Sequence, residues 1–189
     1  TAFDDKAIPF LRRVHPEPDV NKLKALADFV TALGFPIKRW QSRTDLQTLL
    51  DSVKGTPQAH AVNYAFLRSL KQAQYSPETI GHYALAAENY CHFTSPIRRY
   101  PDLTVHRLLG ELVQKGEIKQ HEGMVELTTQ GEWCSMTERR AEQAERELVK
   151  VKLLTYLVDR IGDEFEAIIT GVQDYGFFCQ AVEVPAEGL

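Results

Sequence analysis

Cysteine is scarce in this sequence, with only Cys91, Cys134 and Cys179 in 189 residues. Three thiols so far apart build neither a disulfide framework nor a zinc ribbon, so a reducing compartment is the simpler reading. Long apolar runs are missing as well. Nothing approaches the roughly 20 residues that a bilayer-spanning helix needs, and the opening TAFDDKAIPF has no basic-then-apolar signal layout. These absences predict a cytoplasmic protein with no membrane partner. No charge sign dominates: 22 Lys and Arg against 26 Asp and Glu leave −4, so any nucleic-acid partner has to be held by local charge. Internal repeats and low-complexity stretches are absent too. His82, His92 and His106 stand at no metal-ligand spacing with a cysteine, and no serine or cysteine lies in a nucleophile motif.

What is present is an ordinary globular composition, 43% hydrophobic and 25% charged, enough for one typical domain or pieces of two. The start at Thr1 and the uncapped end at Leu189 read as a piece of something longer. Val20, Leu23, Leu26, Val30 and Leu33 recur at helical spacing, with Asp19 placed to cap the start and Gly34 the end. A second helix is expected from Thr44, with Gln47 completing a capping box, through Leu46, Leu49, Leu50 and Val53 to Gly55. Residues 58–73 read as a third. Pro101 suits the first turn of a fourth, which Val105, Leu109, Leu112 and Val113 carry to Gly116. A long helix is expected over about 128–161, where Ala141, Ala144, Leu148, Val151, Leu154 and Val158 repeat until Gly162. Beyond it, FEAIITGV and FFCQAV read as strands separated by Gln173–Gly176, and Gly162 marks a domain boundary.

Between residues 81 and 101 the helical period disappears, and this is where function is expected. Three arginines against one aspartate give the stretch His92–Arg107 a local charge of +2. Two hydroxyls and two guanidiniums fall in a turn between prolines, where side chains and backbone N–H groups can converge on a phosphate. Arginine suits that task because its planar fork makes paired, charge-assisted bonds and keeps its proton. The plainer alternative is an exposed arginine pair bridging surface carboxylates.

The segment HFTSPIRRYPDLTVHRLL closely resembles the signature of the ribonuclease R and ribonuclease II family, the RNB-type exoribonucleases. The likeness extends to LRRVHPEPDVNKLKAL, Ala73–Ser76 and GHYALA before it and to TERRAEQAERE after it, spanning most of residues 9–160. The strands IITGVQDYGFF are similar to the opening of the OB-fold RNA-binding domain that follows the catalytic domain in that family. The resemblance implies an α+β chain: residues 1–161 as the mostly helical C-terminal part of an RNB-type catalytic domain, and residues 162–189 as the first strands of a truncated OB-fold β-barrel.

It also implies a hydrolytic, processive 3′-to-5′ exoribonuclease that binds single-stranded RNA, releases nucleoside 5′-monophosphates and uses Mg2+, the parent protein being monomeric. Arg98 is placed on the scissile phosphate, and Thr94, Ser95, Arg99 and Tyr100 around the RNA backbone. Glu145, in the AER element, is a second catalytic residue, while Tyr175 and Phe178 are candidate base-stacking groups. Glu138, Glu142 and Glu145 share one helix face, and for Glu138 and Glu142 a solvated face paired with Arg139, Arg140 and Arg146 is the preferred reading.

The family's metal-binding aspartates have no counterpart here. Asp4–Asp5 is expected to cap a helix, and the ligands for Mg2+ are expected upstream, so this chain alone is expected to be inactive. The alternatives are a non-catalytic RNA-binding or scaffold module, separated by whether an aspartate-rich segment precedes Thr1, and an anion-binding helical protein unrelated to RNA. Helix faces built to cover a sheet outside these residues are expected to be exposed and to favour self-association.

Overall fold

The structure, a computed structural model, describes residues 2–118 and 121–189. The fold is α+β, as expected, and divides into two compact units, residues 1–137 and 138–189.

The first unit is organised around a two-stranded antiparallel pair, β1 (Arg12–Val14) and β2 (Gln74–Ser76), with Arg13 opposite Tyr75. Three helices lie between them in sequence: α1 (Val20–Ala32), α2 (Arg43–Val53) and α3 (Ala59–Ser69). The capping carboxylate of Asp19 accepts from the N–H groups of Asn21 and Lys22, satisfying donors that the first helical turn leaves free. Apolar faces with helical spacing meet in one core of Leu23, Leu26, Val30, Leu46, Leu49, Val53 and Val62.

Among these three helices, two ends differ from expectation. α2 is capped by Ser42, whose Oγ accepts from Asp45 N–H, while Gln47 bonds Asp51 instead of closing a box on Thr44. Ser42 and Thr44 carry hydroxyls two residues apart, and the cap falls to the one with extended backbone. α3 stops at Ser69, because Leu70 is already extended and leads toward β2. Asp4 and Asp5 begin a three-residue 3-10 turn, and the Asp4 carboxylate is committed to Arg12.

α4 (Tyr100–Lys115) has Pro101 in its first turn and ends at Gly116 with φ +74°. It buries Val105 against Phe3, Ile8 and Phe10 in a second core. α5 (Met124–Val158) is one helix of 35 residues that runs from the first unit into the second. Its start packs closely on β2: a Cβ at Gly131 would stand 2.6 Å from Tyr75 O, and Ser135 Oγ accepts from Tyr75 N–H at 2.9 Å. Gly131 is therefore where bare backbone is required.

The second unit continues α5 and adds an antiparallel sheet of β3 (Ala167–Gln173), β4 (Gly176–Ala181) and β5 (Glu187–Gly188). The β3–β4 hairpin turns at Asp174–Tyr175, with a register shift between Ile169 and Gly171. Leu148, Val151, Leu154 and Val158 all stay more than half exposed.

Candidate phosphate-binding turn

Residues Phe93–Arg99 form an irregular segment without strand or helix, yet its geometry is closely determined. The N–H groups of Arg98 and Arg99 both donate to Ser95 O, at 3.3 and 3.1 Å. Asp102, in the first turn of α4, is completely buried. Its Oδ1 accepts from Ser95 N–H and from Arg99 Nη2, both at 2.8 Å. One turn further along α4, His106 Nε2 lies 2.6 Å from Phe93 O, and its ring stacks on Phe93 with centroids 4.1 Å apart. The pleat of loop and helix is thus fastened at both ends by side chains four residues apart on one helix face.

Burial alone would push the Asp102 carboxyl up. The Arg99 hydrogen bond, the Ser95 N–H and the charges of Arg99 and His92 outweigh that and hold it below the ordinary carboxylate value. Arg99 is correspondingly pushed up by its bond to Asp102.

The two adjacent arginines consequently differ. Arg99 turns inward, its charge matched by Asp102, whereas Arg98 is exposed, with Ile97 fully exposed beside it and Thr94 exposed as well. Ser95 is half-buried through its backbone tie, and Tyr100 is 46% exposed. The local charge of +2 therefore resolves into an ion pair plus the remaining arginines, Arg98 and Arg107. Behind the turn, Tyr75 Oη and His92 Nδ1 lie 2.9 Å apart, and the rings of His82, Tyr90 and His92 meet edge to face. Tyr75 is core, while Tyr90 and Phe93 keep about two-fifths of their surface exposed.

Glu145 lies in the second unit, exposed on α5. Its neighbour Glu142 pairs with Arg146, as the solvated-face reading expects. Within that unit Glu145 and Phe178 both border a groove of about 990 Å³ between α5 and the β4–β5 end of the sheet. Tyr175 is 71% exposed and meets Phe178 edge to face at 6.4 Å. Asp102 and His106 were not singled out by sequence reasoning. The available signal was their spacing, three residues after Arg99 and seven after it, on the opening turns of a helix begun by Pro101.

The profile of the RNB domain matches residues 1–115 of the sequence. The chain belongs to the RNB-domain family. This RNB-family chain is 41% identical over 183 residues to ribonuclease R of Aquifex aeolicus, covering 96% of this chain and 26% of that protein. Against ribonuclease R of Escherichia coli the identity is 36% over 192 residues, covering 96% and 24%. Ribonuclease R of Mycoplasma genitalium, solved with ribose-methylated single-stranded RNA, superposes with TM-score 0.88 at 28% identity, covering all of this chain and 30% of that one. A yeast pseudonuclease shares the fold, with TM-score 0.81 at 22% identity over 98% of this chain and 24% of its own. This RNB-family chain spans about a quarter of the length of the curated relatives it matches.

Magnesium prefers near-octahedral oxygen donors, usually carboxylates with water and substrate phosphate. Among the described residues no group of three or more Asp, Glu, His or Cys side chains converges to hold a metal ion, and Asp102 is committed to Ser95 and Arg99. The residues present do not fit that ion. Among the described residues, too, no helix is long and apolar enough to cross a membrane.

Proposed function

We propose that this chain supplies the phosphate-gripping part of a cytoplasmic, hydrolytic 3′-to-5′ exoribonuclease acting on single-stranded RNA. The supporting observation is the exposed Arg98 guanidinium on a turn whose other arginine is neutralised from inside. Arg98 donates its N–H fork to the non-bridging oxygens of a backbone phosphate, and its fixed charge stabilises the negative charge that develops there during hydrolysis. Thr94 Oγ1 and the Tyr100 ring border the same strand of RNA, while Ser95 and Arg99 shape the turn.

Glu145 supports the reaction, and Tyr175 and Phe178 stack bases. Residues 1–161 correspond to the C-terminal part of the catalytic domain and 162–189 to the opening of an OB-fold. Mg2+ is the metal we propose for the activity, with carboxylates outside these residues as its ligands. A non-catalytic RNA-binding module is the second reading, favoured by the fold shared with a pseudonuclease.

The test is fluorescence anisotropy of the chain with a short single-stranded RNA, alongside 3′-end shortening of a 5′-labelled RNA in magnesium. Arg98→Ala is expected to weaken binding roughly tenfold, the scale of a charge-assisted hydrogen bond, and binding should weaken with rising salt. Equal binding by Arg98→Ala would remove the assignment. In an intact enzyme carrying this segment, Arg98→Ala lowers turnover by more than it lowers affinity; equal losses would leave binding without a transition-state role.

A further inference from the structure

Among the described residues the Arg98 side chain has no hydrogen-bond or ion-pair partner, so its direction is set by the backbone that carries it. That backbone has no strand or helix ladder of its own. It is held by two short-range bonds to Ser95 O and by side chains reaching over from α4. Asp102 bonds the N–H of Ser95, where the turn begins, and the guanidinium of Arg99, where it ends, through a single oxygen. His106 fixes Phe93, two residues before the turn. A rigid, regular helix thus carries the fasteners, and an irregular loop carries the group that meets the ligand.

We infer that Asp102 and His106 are positioning residues, which set the direction of the Arg98 guanidinium toward the RNA phosphate by clamping the Phe93–Arg99 segment onto α4. The inference rests on the reading of Arg98 as a phosphate ligand. Asp102 also decides which arginine is offered: by drawing Arg99 inward and matching its charge, it leaves Arg98 as the guanidinium that the turn presents outward. Holding a flexible cationic side chain's backbone in place before the ligand arrives reduces the ordering cost of binding.

Asp102 Oδ2 and Arg99 Nε are both buried without a hydrogen-bond partner among the described residues, so the pair meets through one oxygen and not as a two-pronged fork. Replacing Asp102 with Asn keeps Oδ1 as an acceptor for both Ser95 N–H and Arg99 Nη2 and changes only the charge and the unused oxygen. Replacing it with Ala removes both fastenings. His106→Phe keeps a ring against Phe93 and deletes the bond to its carbonyl.

The experiment measures single-stranded RNA affinity and thermal midpoint for the 189-residue chain as wild type, Arg98→Ala, Asp102→Ala, Asp102→Asn, His106→Phe, and the doubles of Arg98→Ala with Asp102→Ala and with His106→Phe. Asp102→Ala is expected to lose roughly tenfold in affinity and His106→Phe roughly threefold, with Asp102→Asn within about threefold of wild type. Each double should bind no more weakly than Arg98→Ala alone, because a clamp has no effect once the group it directs is gone.

Losses that add across the double mutants would overturn the inference, as would Asp102→Ala binding like wild type while Arg98→Ala does not. If Asp102→Ala does not fold, the His106→Phe cycle decides the matter by the same rule. Failure of the Arg98 reading itself shows in a different arm, as unchanged affinity in Arg98→Ala.

Discussion

Every described side chain that is buried lies in the first unit, from Phe3 to Ser135, and the second unit, residues 138–189, buries none. The two residues singled out as catalytic fall on opposite sides of this divide. Arg98 is exposed but stands on a completely buried carboxylate, whereas Glu145 is exposed on a helix whose apolar neighbours are exposed too. Preorganisation of Arg98 is thus intrinsic to these residues, through desolvated bonds that resist competition from water. Nothing comparable within the second unit fixes Glu145.

The sharpest test of this contrast is a pair of truncations. Leu46→Ala, in the three-helix core, should lower unfolding free energy by about 2–5 kcal/mol, since it opens a cavity where neighbours are already close-packed. Leu154→Ala in the second unit should change it by less than about 0.5 kcal/mol. Urea denaturation of both variants measures the difference, and comparable losses would erase the contrast.

Acid should act first where ionisable groups are buried. The His82 imidazole is pushed down by burial and by the nearby charges of His15 and Arg13. Its folded value lies below its unfolded one, so it contributes stability that is present above about pH 6.5 and lost as pH falls from there through the folded value. His82→Gln should flatten the stability profile in that window. Asp102 is also depressed, so its contribution is present above about pH 4 and lost below it. Asp102→Asn should leave the profile near neutrality unchanged and flatten only the lower limb; a profile identical to wild type down to pH 2 would contradict the placement of Asp102. Smaller still, Asp19→Ala should cost about 1 kcal/mol as a lost helix cap, read in the same denaturation experiment.

Much of this was legible in the sequence. Apolar spacing located the five α-helices of the described residues, Asp19, Pro101 and Gly116 marked ends correctly, and the hairpin after Gly162 followed from alternation and a turn. β1 and β2 were not visible, because three-residue strands carry no periodicity and Val14 and Gln74 meet across nearly the whole helical segment. The arginine turn stood out by composition and by its resemblance to the RNB signature. The unequal fates of Arg98 and Arg99 did not, since they depend on one side chain reaching a backbone N–H seven residues earlier. Charge counted along the chain treats neighbouring guanidiniums alike. Packing separates them.

The β1–β2 pair also bears on how the first unit assembles. Because Val14 and Gln74 are cross-strand partners, α1–α3 form a closed excursion that leaves and returns at one point. The entropy lost in closing such an excursion grows only with the logarithm of its length, so doubling it costs about 0.6 kcal/mol. The three helices meet mainly one another, through a core of their own. Residues could therefore be added to the Gly34–Gln41 connector with little entropic penalty to the strand pair, whereas removing any draws on Phe35, Ile37 and Trp40, which pack against that core, so the excursion has room to lengthen while the arginine turn stays in register.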